Sequence, residues 1–142
     1  ISFVPWSKLT QVCTKTKHRI YFEHKRRALP GTPSVCCRIT QLYDDGACVY
    51  FYFCMSISGV AEPSRAFSEI EKSARKEILI NGGTLSHHHG LGKRTALMGE
   101  IYTPGYANAL ISMKEAIDPM NTFGARNGVF SMMHSQTTVP AL

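Results

Sequence analysis

The run Ala47-Cys48-Val49-Tyr50-Phe51-Tyr52-Phe53-Cys54-Met55 decides how the rest of the chain is read. It is almost wholly apolar and aromatic, and such residues fit a pleated, half-buried surface. Its length suits a strand. Alternation puts Tyr50 and Tyr52 on one face and Val49, Phe51 and Phe53 on the other. The run therefore reads as a central strand, buried on both faces or facing a ligand. Just upstream, Tyr43-Asp44-Asp45-Gly46 is a turn signal, with Asp-Gly favouring positive φ. Ser34 to Leu42 alternates and is partly β-branched, so the two runs form a hairpin.

Working outward, Ile1 to Trp6 has strand character and ends in a proline turn. Ser7 is placed to cap a helix in which Leu9, Val12, Cys13, Thr16 and Ile20 recur at helical spacing. That helix is expected to fray near Arg26 and Arg27, before the turn-rich linker Leu29-Pro30-Gly31-Thr32-Pro33. Ser56 to Glu62 reads as a loop. Pro63 opens a second helix with the stripe Phe67, Ile70, Ala74 and Ile78, which Asn81-Gly82-Gly83 stops. Thr84-Leu85 fits a short strand leading into His87-His88-His89-Gly90. A turn region then runs to Thr103-Pro104, which starts a third helix that ends at Asp118-Pro119. The tail after Asn127 is expected to be poorly ordered. Strand, helix, hairpin, helix is an α+β order, with helices on one face of an antiparallel sheet.

The 142 residues suit one domain, and 44% hydrophobic content rules out a disordered chain. A charged content of 18% is low for a free-standing domain and points to surface that meets a partner. No apolar run approaches the roughly 20 residues that span a bilayer. The net charge of +6 is concentrated between Lys8 and Arg27, where Glu23 is the one acid. That stretch fits a solvated helix face or an anionic membrane, and no aromatic platform interleaves it for nucleic acid. The 5 cysteines include no CxxC pair, and most of them read as buried thiols in a reducing compartment. A start at Ile1 suggests a piece of a longer protein.

Three segments carry candidate chemistry. In the first, Tyr50 is either a proton donor or acceptor in an apolar wall, or a core tyrosine bonded to backbone. The second is Asn81 through Lys93. In a strand, His87 and His89 would share a face and His88 would oppose them. These imidazoles could polarise a carbonyl, hold a phosphate or shuttle protons. A metal loop is the competing reading, but no carboxylate or Cys completes it at ligand-like spacing. The third is Ile117 through Asn127, where Arg126 could pair with a phosphate or carboxylate, or be a surface arginine beside a structural Asp118.

Taken in order, Val4-Pro5-Trp6, Arg38-Ile39-Thr40-Gln41, Asp45 through Phe53, the triple-histidine segment and Asp118 to Asn127 resemble the C-terminal part of the alkyldihydroxyacetonephosphate synthases. These are FAD-linked oxidases of the vanillyl-alcohol-oxidase type. The resemblance covers residues 1–127, leaving residues 128–142 as a flexible tail. It implies part of the cap domain and C-terminal segment of a larger flavoenzyme, with the FAD-binding domain outside these residues. The implied reaction exchanges the acyl group of acyl-dihydroxyacetone phosphate for a long-chain fatty alcohol. It yields alkyl-dihydroxyacetone phosphate and a fatty acid, with FAD as cofactor and no net redox change.

By the same resemblance, Tyr50 is the proton donor or acceptor and His87, His88 and His89 line the site. His88, His89, Arg126 and Asn127 are the implied cofactor contacts, and no metal is implied. The fragment alone would be inactive. Peripheral membrane contact, no nucleic acid, a homodimer of the full-length protein and a peroxisomal location complete the expectation. The sequence departs from the family pattern at Arg94-Thr95-Ala96. Its Pro140-Ala141-Leu142 ending lacks the positive charge of the peroxisomal tripeptide. Two alternatives stand beside this reading: another FAD-linked oxidoreductase acting on 2-hydroxy acids, and a module docking on lipid through the basic helix.

Overall fold

The computed structural model describes residues 1–90 and 92–124. The chain divides into two compact units, Ile1–His89 and Gly90–Leu142. The first unit holds strand β1 (Ser2–Pro5), helix α1 (Leu9–Arg26), strands β2 (Ser34–Leu42) and β3 (Gly46–Cys54), and helix α2 (Pro63–Ile80). The strands form an antiparallel sheet in the order β1-β3-β2, so the ring-rich run is central. This is the expected α+β arrangement.

Both helices of this unit cover one face of the sheet. Val4 and Val49 pack with Val12 of α1 and Ile78 of α2, and Phe51 and Cys37 lie against them. Ile20, Ile70 and Ala74 form a neighbouring cluster joined by Val35 and Phe53. Burying each such Val or Ile side chain contributes about 1.5–3 kcal/mol, so the helical stripes and the odd-numbered face of β3 hold one another in place. The other face of β3 is not covered in the same way. Tyr50 is half-buried and Tyr52 is 41% exposed.

Several local expectations are corrected. Ser7 does not cap α1: Trp6–Lys8 form a short 3-10 turn, and no side chain caps the helix that follows. The turn is anchored instead by Trp6, whose backbone N–H donates to the Asp45 carbonyl at 3.2 Å and whose indole N–H donates to the Tyr43 carbonyl at 3.0 Å. In the hairpin, none of Asp44, Asp45 and Gly46 has positive φ. Gly46 is required for close approach, since a Cβ there would lie 2.4 Å from the Val4 carbonyl oxygen.

Both helices end in a Schellman motif, which satisfies their last carbonyls. At α2, Gly82 takes φ +90°, its N–H donates to Leu79 and that of Gly83 donates to Ile78. At α1, Ala28 occupies the same left-handed position with φ 50°, and Leu29 donates to the His24 carbonyl at 3.4 Å. Leu29 then packs into the second cluster.

Ion pairs tie the two helices together. Arg19 meets Glu77 at 2.9 Å, and Arg27 bridges Glu23 of α1 to Glu69 of α2. Glu23 is only 6% exposed. Burial pushes its carboxyl up, but hydrogen bonds from Arg27 and Arg26 outweigh that, and the net shift is down.

In the second unit, Gly92–Glu100 form a 3-10 stretch where the sequence suggested only turns, and helix α3 spans Pro104–Ile117. Thr103 caps α3 by accepting the Tyr106 N–H at 3.3 Å. Past its end, Asp118 pairs with Lys114 and accepts the N–H groups of Thr122 and Phe123. The Lys114 ammonium, then these amides, hold its carboxyl below the usual carboxylate value.

Two outcomes test these packing assignments. Glu23 is more acidic folded than unfolded, so its stabilisation is present above the ordinary Glu pKa of about 4.3 and fades as pH falls through the folded value. Glu23→Gln is expected to lower neutral-pH stability by about 1–3 kcal/mol and to flatten the acid limb of a melting-temperature–pH curve. Ala28→Gly should raise stability by about 0.5–1 kcal/mol, because glycine takes the left-handed position without a Cβ penalty that exceeds its added unfolded-state entropy. Denaturant unfolding would register that gain, and an unchanged or lower midpoint would count against the assigned strain.

Candidate active site

The open face of β3 is where the candidate chemistry converges. Tyr50 projects from it, opposite Arg38 in the β2 register. Its hydroxyl lies 3.0 Å from His88 Nε2 and 3.4 Å from His89 Nε2. The Tyr43 hydroxyl, from the hairpin turn, lies 2.6 Å from His87 Nε2. All four residues singled out in the first unit are thus brought together around two phenols. Arg126 and Asn127 lie outside the described residues.

The histidines are not arranged as a strand would arrange them. Residues 84–89 form no strand, and His88 and His89 both reach Tyr50 while His87 turns to Tyr43. The loop is positioned by Thr84. Its N–H donates to the Phe3 carbonyl at 2.9 Å, and its hydroxyl accepts the Phe3 N–H at 2.9 Å. That hydroxyl in turn donates to the Ser86 carbonyl at 3.2 Å. One threonine therefore both closes the outer edge of β1 and sets the first bend toward the histidines.

The rings form a continuous row. Phe3 meets Tyr43 edge-on, Tyr43 meets His87, and His87, His88 and His89 touch in turn. Tyr50 then stacks on Tyr52 with centroids 6.1 Å apart, and the Arg38 guanidinium stands 5.8 Å from the Tyr52 ring centroid. Such a row presents O–H and N–H groups at a half-exposed surface, where a proton can pass between phenol and imidazole.

Cys48 also joins the cluster. A ligand atom of Cys48, one of His87 and one of His88 all lie within 4.8 Å of one another. Period-two reading could have found Cys48, since it shares the face of Tyr50. Thr84, Tyr43 and Trp6 carried no comparable signal, because their contacts are set by chain segments far apart in sequence.

The chain matches the family FAD linked oxidases, C-terminal domain, over residues 1–127. It belongs to that family. FAD is accordingly the cofactor of the enzymes this domain completes. The chain is 37% identical over 125 residues to alkyldihydroxyacetonephosphate synthase of Caenorhabditis elegans, covering 87% of this chain and 21% of that protein. It is 28% identical over 140 residues to the Dictyostelium discoideum synthase, covering 98% and 22% respectively. A solved structure of an alkyldihydroxyacetonephosphate synthase superposes with a TM-score of 0.53 at 25% identity, covering 83% of this chain and 18% of that one. The chain thus spans about a fifth of the length of these curated relatives.

The geometry makes Thr84 a positioning residue. Thr84→Val keeps the shape but removes the hydroxyl that Phe3 and Ser86 share. A loss of about 1–3 kcal/mol corresponds to amide exchange at Phe3 about 5- to 150-fold faster. Hydrogen–deuterium exchange on wild type, Thr84→Val and Thr84→Ser measures this, with Ser expected to restore much of the protection.

Proposed function

We propose that this chain is the C-terminal part of an ether-lipid synthase. That enzyme exchanges the acyl group of acyl-dihydroxyacetone phosphate for a long-chain alcohol. The observation that carries this reading is the Tyr50 hydroxyl held between His88 and His89. It is supported by the similarity to alkyldihydroxyacetonephosphate synthases from separate organisms. Those relatives favour acyl-for-alkyl exchange over oxidation of a 2-hydroxy acid.

Exchange asks for two proton movements. A carboxylate leaves more readily if a proton is supplied near its oxygen, and an incoming alcohol attacks more readily if its proton is accepted. A phenol with imidazoles at its oxygen suits both tasks, since the proton lost in one step can be returned in the other. His88 and His89 hold the Tyr50 oxygen, and Arg38 adds positive charge beside Tyr52 on the same face.

The same face fits a flavin as one wall of its site. The Tyr50, His88 and His89 ring edges offer hydrogen-bonding groups at a half-exposed, ring-lined surface, which suits the edge of a planar heterocycle. When bound, FAD supplies an electron-accepting ring, and the residues of this chain orient substrate and move protons. A fatty alcohol resides in lipid, so the enzyme would meet a membrane peripherally. Among the described residues no helix is long and apolar enough to cross one.

The test uses the protein expressed from its full reading frame. Tyr50→Phe should cut acyl-for-alkyl exchange by about 10²–10⁴-fold while the flavin absorption spectrum shows FAD still bound. At the end of wild-type turnover the flavin should be oxidised. Anaerobic bleaching of the flavin by a 2-hydroxy acid, with no exchange of acyl-dihydroxyacetone phosphate, would overturn the reading.

A further inference from the structure

We propose that Cys48, His87 and His88 form a binding site for a soft divalent cation of the zinc class. Folding supplies what the linear sequence lacked, a thiol beside the histidine loop. A ligand atom from each residue lies within 4.8 Å of the other two. A thiolate with two imidazoles is a donor set that selects zinc-like ions over magnesium or calcium, which prefer oxygen.

Closure needs little movement. Tetrahedral bonds of about 2.0 Å to nitrogen and 2.3 Å to sulfur place donor atoms roughly 3.3–3.6 Å apart. From within 4.8 Å of one another, the donors have to draw in by at most about 1.2–1.5 Å, which the rotation of a loop imidazole supplies. Cys48 forms the buried floor and His88 the exposed rim, so an ion enters from the histidine side. The fourth position is left to water, as in open three-ligand sites.

The surroundings already resemble the outer shell of a metal site. Metal-bound histidines give their second nitrogen to a neighbouring oxygen. Here the Tyr43 and Tyr50 hydroxyls stand at the Nε2 atoms of His87 and His88. Coordination through Nδ1 would keep both hydrogen bonds. The strand is also irregular at this point. The β2 register shifts between Ile39 and Gln41, opposite Cys48, and the Thr40 hydroxyl donates to the Cys48 carbonyl at 3.3 Å. Bulges of this kind re-aim neighbouring side chains. Binding deprotonates the Cys48 thiol and releases that proton to solvent, with no change of oxidation state. An ion held here also takes His88 out of the proton exchange with Tyr50. That consequence rests on the function proposed above, whereas the binding does not.

Cobalt(II) reports the site directly in the flavin-loaded, full-reading-frame protein. Tetrahedral cobalt gives intense d–d bands to the red of oxidised flavin, and a thiolate ligand adds a charge-transfer band in the near ultraviolet. Wild-type protein should show both, and zinc should abolish them by displacement. Cys48→Ser should lose the charge-transfer band. Because Cys48 is buried, His87→Ala on the loop is the second variant, expected to weaken cobalt binding at least about tenfold. Only weak octahedral bands in the wild type, or wild-type spectra and affinity in His87→Ala, would overturn the proposal.

Discussion

Side-chain alternation along β3 is the constraint on which the rest of the first unit depends. Val49, Phe51 and Phe53 lie under α1 and α2, so Cys48, Tyr50 and Tyr52 must face the other way. A one-residue slip would expose the core set and bury two phenols. The register is secured from both sides. β1 pairs Phe3 with Cys48 and meets Gly46 at Val4 and Pro5, where only a glycine allows the approach. β2 absorbs its irregularity at Thr40, next to Cys48 and away from Tyr50.

The histidine loop inherits its position from the end of α2. Gly82 turns the chain out of the helix, Gly83 caps Ile78, and Thr84 then binds the edge of β1 at Phe3. Ile78 itself belongs to the cluster that includes Val4 and Val49. The helix, its cap and the sheet edge therefore act together in placing the loop from which His88 and His89 reach Tyr50 and His87 reaches Tyr43. The ion pairs from Arg19 and Arg27 to α2 support the same arrangement at a distance from the site. Stability of the helical layer and geometry of the site are coupled through this connection.

Depth across the open face divides its groups by chemistry. Cys48 is buried, Tyr50 is half-buried and Tyr52 is exposed. A proton acceptor at intermediate depth can meet both a substrate and a flanking imidazole, while a buried thiol meets only what the loop brings to it. The single histidine shared by both, His88, is where proton chemistry and metal chemistry would compete.

The amino-acid sequence by itself determined the elements that rest on local rules. The hairpin, the stripes of α1 and α2, the stop at Asn81-Gly82-Gly83 and the Thr103 cap follow from periodicity, turn residues and capping. The two faces of β3 followed as well, because alternation is intrinsic to a strand, and with them Tyr50 as a candidate. Local rules failed where a distant segment satisfied the backbone. Ser7 was displaced as a cap by a turn that Trp6 clamps to the hairpin, and Thr84-Leu85 gained an edge partner without becoming a strand. Tertiary structure alone decided which imidazole faces which phenol and which histidines reach Cys48. The histidines lie in a loop with no period of its own, so their directions are set by contacts with β1 and β3 that no spacing in the sequence encodes.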